Sequence, residues 1–166
     1  MPNFLRSYGI FTALLAVAFT ICMPPSATAL GDNLLVPGGR IGTVTIGMSE
    51  QRLYKLLGAP KSTFVQPDGS ISYQFETSSQ QLYVITYQGR VYRVGTKDKS
   101  FRTKEGVRVG ASVLEVRARL GQPTCQANIL PSSPLLQMVY GQLSFLVQNG
   151  VVTEMDTKKT PFECNN

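Results

Sequence analysis

Histidine, the commonest general base, is absent from the 166 residues of this chain. The usual serine and cysteine triads are therefore excluded, and a zinc site built from carboxylates and thiolates alone would be unusual. Glu154 and Asp156 lie two residues apart on one face of a predicted strand, where we expect edge or solvent-facing charges rather than an acid–base pair. We predict no catalytic residue, no metal site and no cofactor. A serine–lysine pair assembled by the fold, and with it a hydrolase, remains an alternative.

The first 29 residues have the layout of a secretory signal. Arg6 supplies a positive charge, residues 10–23 are mostly apolar, and a small-residue site follows at Ala27-Thr28-Ala29. The residue before Cys22 is isoleucine, whereas lipid attachment requires a small residue there. We therefore expect a signal peptide over residues 1–29, a secreted or periplasmic protein, and no transmembrane segment after cleavage. An uncleaved N-terminal anchor is the alternative.

Two of the three cysteines, Cys125 and Cys164, remain once the signal that contains Cys22 is removed. Two cysteines in an exported chain favour a disulfide. The bond would close a loop of about 40 residues and contribute roughly 3–4 kcal/mol in the chain-entropy model. A pair of metal-binding or catalytic thiols is the alternative, which the lack of histidine and of Cys-x-x-Cys spacing disfavours.

Basic side chains outnumber acidic ones, 16 against 10, which favours acidic partners or anionic surfaces. The excess is concentrated between residues 90 and 108. This stretch is either an anion-binding patch, for polysaccharide, lipid head groups or an acidic protein, or a solvated linker, and we expect the linker. Nucleic acid is a poor partner for an exported protein. The cations of the stretch are Arg90, Arg93, Lys97, Lys99, Arg102, Lys104 and Arg108.

The signals for helix boundaries occur twice, with the same spacing in both copies. Ser49 and Ser112 are typical N-cap residues, and Glu115 completes a capping box in the second copy. Gly58 and Gly121 supply a left-handed C-terminal residue, and a proline follows each glycine by two residues. Both helices would be about two turns long, and helices that short persist only when they are packed against other elements.

Antiparallel strands follow each predicted helix. Runs with strong β character are joined by the tight turns Gln88-Gly89 and Asn149-Gly150, and Asn-Gly is the strongest short hairpin signal. We therefore predict an α+β fold of two tandem repeats, units 30–97 and 98–166, each a short helical element packed on an antiparallel β-meander. The predicted strands cover residues 70–76, 81–87, 90–96, 135–140, 142–148 and 151–157.

Alternation along these strands divides each unit into two faces. We expect one face to pack beneath the helices, with Leu57 and Leu120 buried against it. The other face of the first unit would be open, unless it packs against the second unit and becomes core. The expected core positions are Leu82, Val84, Thr86 and Val91. The expected open positions are Tyr83, Ile85, Tyr87, Arg90, Tyr92 and Val94 in the first unit, and Ser144, Leu146, Gln148, Val151, Thr153 and Met155 in the second.

The open face of the first unit carries the candidate site for a partner. Tyrosine and arginine are enriched among the residues that dominate interfaces, since they bury a large rigid area while keeping a polar end. The candidate partner-binding residues are Tyr83, Tyr87, Arg90, Tyr92 and Arg93.

One order of motifs resembles known families. Gly47-Met48-Ser49, a short helix, Leu57-Gly58-Ala59-Pro60, an aromatic strand and an apolar hairpin resemble the small outer-membrane lipoprotein of the β-barrel assembly machinery (BamE, or SmpA/OmlA). Two such units in tandem are similar to the secreted β-lactamase inhibitor protein, which shares that helix-plus-sheet architecture. The resemblance covers most of residues 39–157 and implies the fold predicted above.

Taken together, these patterns predict an exported, non-enzymatic protein-binding module, either inhibitor-like or an adaptor. Its partner would be another protein in the envelope or outside the cell. The principal alternative is an envelope-structural or outer-membrane assembly factor.

Overall fold

The computed structural model describes residues 32–76, 80–129 and 134–163, and in them two helices and twelve strands form two sheets. The fold is mostly β. No helix in these ranges is long and apolar enough to cross a membrane. The helices are α1 (Glu50–Leu57) and α2 (Val113–Leu120). The strands are β1 (Leu34–Val36), β2 (Arg40–Ile41), β3 (Val44–Thr45), β4 (Ser62–Val65), β5 (Ile71–Glu76), β6 (Gln81–Tyr87), β7 (Arg90–Thr96), β8 (Arg102–Thr103), β9 (Cys125–Asn128), β10 (Leu135–Tyr140), β11 (Leu143–Gln148) and β12 (Val151–Lys158).

Both helices begin and end at the predicted residues. Ser49 Oγ accepts a hydrogen bond at 3.3 Å from the amide three residues later, and Ser112 Oγ does the same at 3.1 Å. Gly58 and Gly121 end the helices at φ angles of 79° and 81°, a conformation that residues with a Cβ rarely adopt. The sequence signals at the helix boundaries are therefore confirmed.

The burial expected of Leu57 and Leu120 is only partial. Leu53 and Val116, near the middle of each helix, are fully buried, whereas Leu57 and Leu120 are only half-buried. The reason is position, because Leu57 and Leu120 are the last helical residues and precede an exposed glycine. The two leucines therefore pack against the margin of the core and not at its centre.

Eight antiparallel strands form the larger sheet, in the order β4-β5-β6-β7-β12-β11-β10-β9. Each helix is followed by four of these strands, and the two sets meet where β7 pairs with β12. The hairpins Gln88-Gly89 and Asn149-Gly150 have positive φ at both residues, as a type I′ turn requires. The predicted hairpins are confirmed.

Four short strands form the smaller sheet, in the order β3-β2-β1-β8, with β1 and β8 parallel. Strand β8 lies within the basic stretch 90–108, where the sequence favoured a solvated linker. That expectation is wrong, because β7 also lies in the stretch and Phe101, Thr103 and Val107 are fully buried. The stretch is therefore part of the folded structure.

The core lies between the larger sheet and the elements that cover one of its faces. Leu53, Val116 and the small-sheet residues Leu35 and Ile41 belong to the same buried cluster as one face of the larger sheet. The helices and the smaller sheet therefore lie on the same side. The larger sheet contributes Tyr73, Phe75, Leu82, Val84, Val91, Val94, Met138, Leu143, Phe145, Val147, Val152 and Met155.

Two β-bulges change which side chains reach this core. The register shifts in the β6–β7 pairing and in the β11–β12 pairing, and each shift leaves one extra residue, Tyr92 and Thr153. Val94 and Met155 were expected on the open face, but both are fully buried in the core. The expectation is wrong because an inserted residue shifts the alternation by one and exchanges the faces beyond it.

The pairing of Cys125 with Cys164 stays a prediction. Cys125 lies in β9, half-buried, and is disulfide-bonded. Cys164 lies outside the described residues, as does the predicted signal peptide.

The burial of the two helix leucines gives a first prediction. Leu53→Ala should lower the free energy of unfolding by about 2–5 kcal/mol, because it removes a fully buried side chain from the core. Leu57→Ala, in the same helix and of the same chemistry, is the matched control and should cost clearly less. Urea unfolding of both variants measures the difference. Equal costs would contradict the assignment of Leu53 as the residue that anchors α1.

Candidate functional site

The face of the larger sheet that points away from the helices is here called the open face. It carries the five residues that the sequence singled out, with different degrees of exposure. Tyr87 is 48% exposed and Arg90 is also exposed, whereas Tyr83, Tyr92 and Arg93 are half-buried. The three tyrosines therefore do not form one uniformly exposed patch.

A buried carboxylate joins two of these residues at the centre of the open face. The Tyr83 hydroxyl donates to Asp156 Oδ2 at 2.6 Å, and Arg93 Nε donates to the same oxygen at 3.0 Å. Arg93 Nη2 also forms an ion pair with Asp156, whose side chain is only 4% exposed. The expectation that Asp156 faces solvent is wrong, since the β7–β12 pairing places it beside Arg93.

Burial sets the protonation of this cluster. Desolvation raises the pKa of Asp156 above its ordinary value, against the lowering effect of the Arg93 charge and the Tyr83 hydrogen bond. Burial, together with the nearby Asp156 charge, also raises the pKa of Tyr83 well above its usual range. The tyrosine therefore stays protonated and acts as a hydrogen-bond donor. Asp156 Oδ1 has no hydrogen-bond partner within the described residues.

Small and aromatic neighbours hold the cluster in place. Gly95 lies beneath the Tyr83 ring, and a Cβ on Gly95 would come within 2.1 Å of that ring. The Arg93 guanidinium lies 5.7 Å from the Tyr83 ring centroid and 5.2 Å from that of Phe162, within range of a cation–π interaction. These contacts fix Tyr83 and Arg93 as structural residues as well as parts of the open face.

The remaining candidate residues lie toward the β6–β7 hairpin. Tyr87 and Arg90 are directly paired across it, and Arg90 Nη1 donates to the Gly47 carbonyl at 3.1 Å. The Tyr92 hydroxyl is 3.0 Å from Thr160 Oγ1, in the segment after β12. Tyr87 and Arg90 therefore form an exposed pair, whereas Tyr92 contacts the segment after β12.

A pocket of about 370 Å³ opens beside Tyr83, at the other end of β6. Sequence reasoning missed it, because its lining comes from five strands or strand ends that are distant in the chain. Two ion pairs lie at it, Lys61 with Glu76 and Lys97 with Glu154, the latter at 3.6 Å. The other lining residues are Ser72, Gln74, Phe75, Gln81, Leu82 and Tyr83.

Across residues 32–76, 80–129 and 134–163, no group of three or more histidine, cysteine, aspartate or glutamate side chains is arranged to hold a metal ion.

Comparisons with known proteins show a similarity of fold only. No protein-family model matches the chain, and no curated protein matches it. The uncharacterized protein yfeY from Escherichia coli matches with a TM-score of 0.56 at 11% identity, over 74% of this chain and 98% of that one. The DUF4309 family protein YjgB from Bacillus subtilis matches with a TM-score of 0.53 at 10% identity, over 71% and 83%.

Two further structural matches are to a secretory protein and to a putative inhibitor protein. A cysteine-rich secretory protein (SAV1118) from Staphylococcus aureus has a TM-score of 0.52 at 15% identity, and this chain spans about half of its length. A putative β-lactamase inhibitor protein from Streptococcus mutans matches 66% of this chain and 81% of its own at 16% identity, with a TM-score of 0.32. That score is too low to support an argument, so the inhibitor resemblance stays an expectation.

The buried ion pair gives a second prediction. Arg93→Met leaves the Asp156 carboxylate buried without its cation, which should lower the free energy of unfolding by about 3 kcal/mol at neutral pH. Without Arg93, burial raises the pKa of Asp156 further, so the native state binds a proton more readily than the unfolded state. The lost stability should therefore return as the pH falls through that pKa. Urea unfolding from pH 7 to pH 5 measures this recovery.

Two companion variants separate charge from packing. Lys97→Met removes a cation that is 65% exposed and should change stability little at any pH. Arg93→Met/Asp156→Leu removes both charges and should recover most of the stability that the single variant loses. A double variant as unstable as Arg93→Met, with no pH recovery in either, would show that the ion pair is not the cause.

Proposed function

We propose that this chain is an exported, non-enzymatic protein-binding module that binds its partner on the open face of the larger sheet. The observation that carries the proposal is the arrangement of that sheet. Helices and the smaller sheet cover one face, while the other presents the exposed pair Tyr87 and Arg90 and the pocket beside Tyr83.

The chemistry of the open face suits a protein partner. Tyr87 offers a large, rigid ring, and the half-buried Ile85 lies two residues before it on the same face. Arg90 is paired with Tyr87 across the hairpin, and its guanidinium is held by a hydrogen bond to the Gly47 carbonyl. Aromatic and arginine side chains held in this way lose little conformational freedom on binding, which is why they dominate interface energetics.

The centre of the open face supports the same function because it is rigid. The Asp156 carboxylate fixes Tyr83 and Arg93, so the surface between the hairpin and the pocket is already ordered before a partner arrives. Preorganised surfaces bind more tightly because less entropy is lost on association. The secretory signal predicted for residues 1–29 and the secretory description of the Staphylococcus aureus neighbour support an exported location.

We also propose that the chain consists of two tandem repeats, units 30–97 and 98–166, of the BamE-like and inhibitor-like kind. The support is internal. The two helices share their cap geometry, each is followed by four antiparallel strands, and the last hairpin of each set has a bulge after its turn. A duplication would produce all three correspondences.

The proposed function gives a third prediction, tested by capture from the envelope and culture fractions of the exporting organism. Tyr87→Ala/Arg90→Ala should reduce retention of the partner about tenfold or more, because it removes the exposed aromatic and its neighbouring cation. Lys55→Ala/Leu114→Ala, which alters exposed residues of the two helices on the opposite side, should retain the partner. Quantitative mass spectrometry of the captured proteins measures both.

Circular dichroism and thermal unfolding must show that both double variants remain folded. Equal retention of the same protein by the Tyr87→Ala/Arg90→Ala variant and the unaltered chain would contradict binding on the open face. Turnover of a substrate by the purified chain would contradict a non-enzymatic role.

A further inference from the structure

Four exposed cations on and beside strand β8 form a second surface, here called the basic face: Lys99, Arg102, Lys104 and Arg108. The side chains between them point inward, so the cations are displayed from a fixed backbone. The buried residues that alternate with them are Phe101, Thr103, Val107 and Val109. The four cations therefore project from one side of an ordered strand and turn and not from a flexible tail.

The cations are brought close together by the local pairing. Arg102 and Arg108 are opposite each other in an antiparallel bridge. Lys99 reaches Gly110, with its Cε 3.9 Å from where a Cβ on that glycine would lie. Like charges directly opposite each other are destabilising, so the free chain carries a repulsion that a bound anion would relieve.

Within the part of the chain that the structure describes, no acidic side chain forms an ion pair with a cation of the basic face. Among the residues that the structure describes, none of the five ion pairs and no hydrogen bond involves the side chain of a basic-face cation. Asp98 accepts a hydrogen bond from the Ser100 amide, and Asp32 is paired with Arg40. Between residues 99 and 108, which include the four cations, the sequence contains one acidic residue, Glu105, and it is exposed in the turn.

Apolar side chains lie beside the cations on the same sheet. Leu34 is paired with Arg102 in the parallel β1–β8 ladder, and Val36, two residues on, points to the same outer side. Leu34 is half-buried and Val36 is 38% exposed. A surface that combines free cations with partly exposed apolar side chains matches an anionic lipid interface, where charge attraction and shallow apolar burial act together.

The position of the N-terminal segment also favours a lipid surface as the ligand of the basic face. Residues 1–31 join the described structure at Asp32, and the Arg102 amide donates to the Asn33 carbonyl at 3.0 Å. The apolar segment 10–23 therefore precedes the part of the chain that borders the basic face. The signal peptide predicted over residues 1–29 would place this segment in the membrane during export, which would bring the basic face next to the lipid surface.

From these observations we infer that the basic face docks the exported chain on an anionic phospholipid surface. The long side chains of the basic face are not fixed by hydrogen bonds within the described residues, which suits the diffuse charge of a lipid surface better than the directional contacts of an acidic protein. The inference does not depend on the open face, which lies on the other side of the larger sheet from the helices and smaller sheet.

Sedimentation with lipid vesicles tests the inference. The purified exported chain should bind phosphatidylcholine vesicles that contain phosphatidylglycerol, bind pure phosphatidylcholine vesicles far less, and be released as salt rises. Arg102→Gln/Lys104→Gln/Arg108→Gln should lower the partition coefficient by about 100-fold, from the typical contribution of each cation near an anionic membrane. The matched control Arg52→Gln/Lys55→Gln/Lys61→Gln has the same net charge and should bind almost as well as the unaltered chain.

Three outcomes would overturn the inference. Equal loss in the two triple variants would show that net charge, and not the basic face, drives binding. Absence of vesicle binding by the folded, unaltered chain would exclude a lipid surface. The inference requires Val36 to contribute at a lipid interface and not to the binding of a soluble anion. If Val36→Ser binds vesicles as well as the unaltered chain, and soluble polyphosphate binds equally tightly, the basic face binds the phosphate groups of a polymer instead.

Discussion

The buried charge of Asp156 is the constraint on which the centre of this molecule depends. A carboxylate that is 4% exposed is tolerable only when a cation and hydrogen-bond donors lie beside it. Arg93 and Tyr83 fill that role from the first four-stranded set, while Asp156 belongs to the second. The ion pair therefore links two sets of strands whose direct β7–β12 pairing comprises four residue pairs within the described residues.

The same constraint explains the residues around it. Gly95 is required because the Tyr83 ring lies where a Cβ would be, and Phe162 covers the Arg93 guanidinium from the segment after β12. The open face consequently has an ordered, polar centre with exposed ends. The other side of the larger sheet is closed by apolar packing, so the charged surface near β8 belongs to a different layer of the fold.

The features that could be predicted from the sequence are local. Ser49 and Gly58 define a helix by their own hydrogen bonding and φ angle, and Asn149-Gly150 defines a turn in the same way. The features that could not be predicted depend on pairing between distant segments. The extra residue Tyr92 moved Val94 into the core, although nothing in the neighbouring sequence distinguishes a bulge from regular alternation.

The candidate site follows the same division. Tyr87 and Arg90 lie in one hairpin, so alternation alone placed them together on an accessible face. Asp156 could not be assigned, since its role exists only once β12 lies beside β7. The small sheet was missed because strands of two and three residues leave no periodic pattern to recognise.

The symmetrical strand order also determines how the chain can fold. Within each set of four strands, every partner is a neighbour in sequence, so each hairpin closes a short loop at little entropic cost. Pairing of β7 with β12 instead joins residues as far apart as Arg93 and Lys158, which are 65 positions apart in sequence. Contacts of that separation form slowly, so we expect the pairing of the two sets of four strands to limit the folding rate and the Arg93–Asp156 hydrogen bonds to form late.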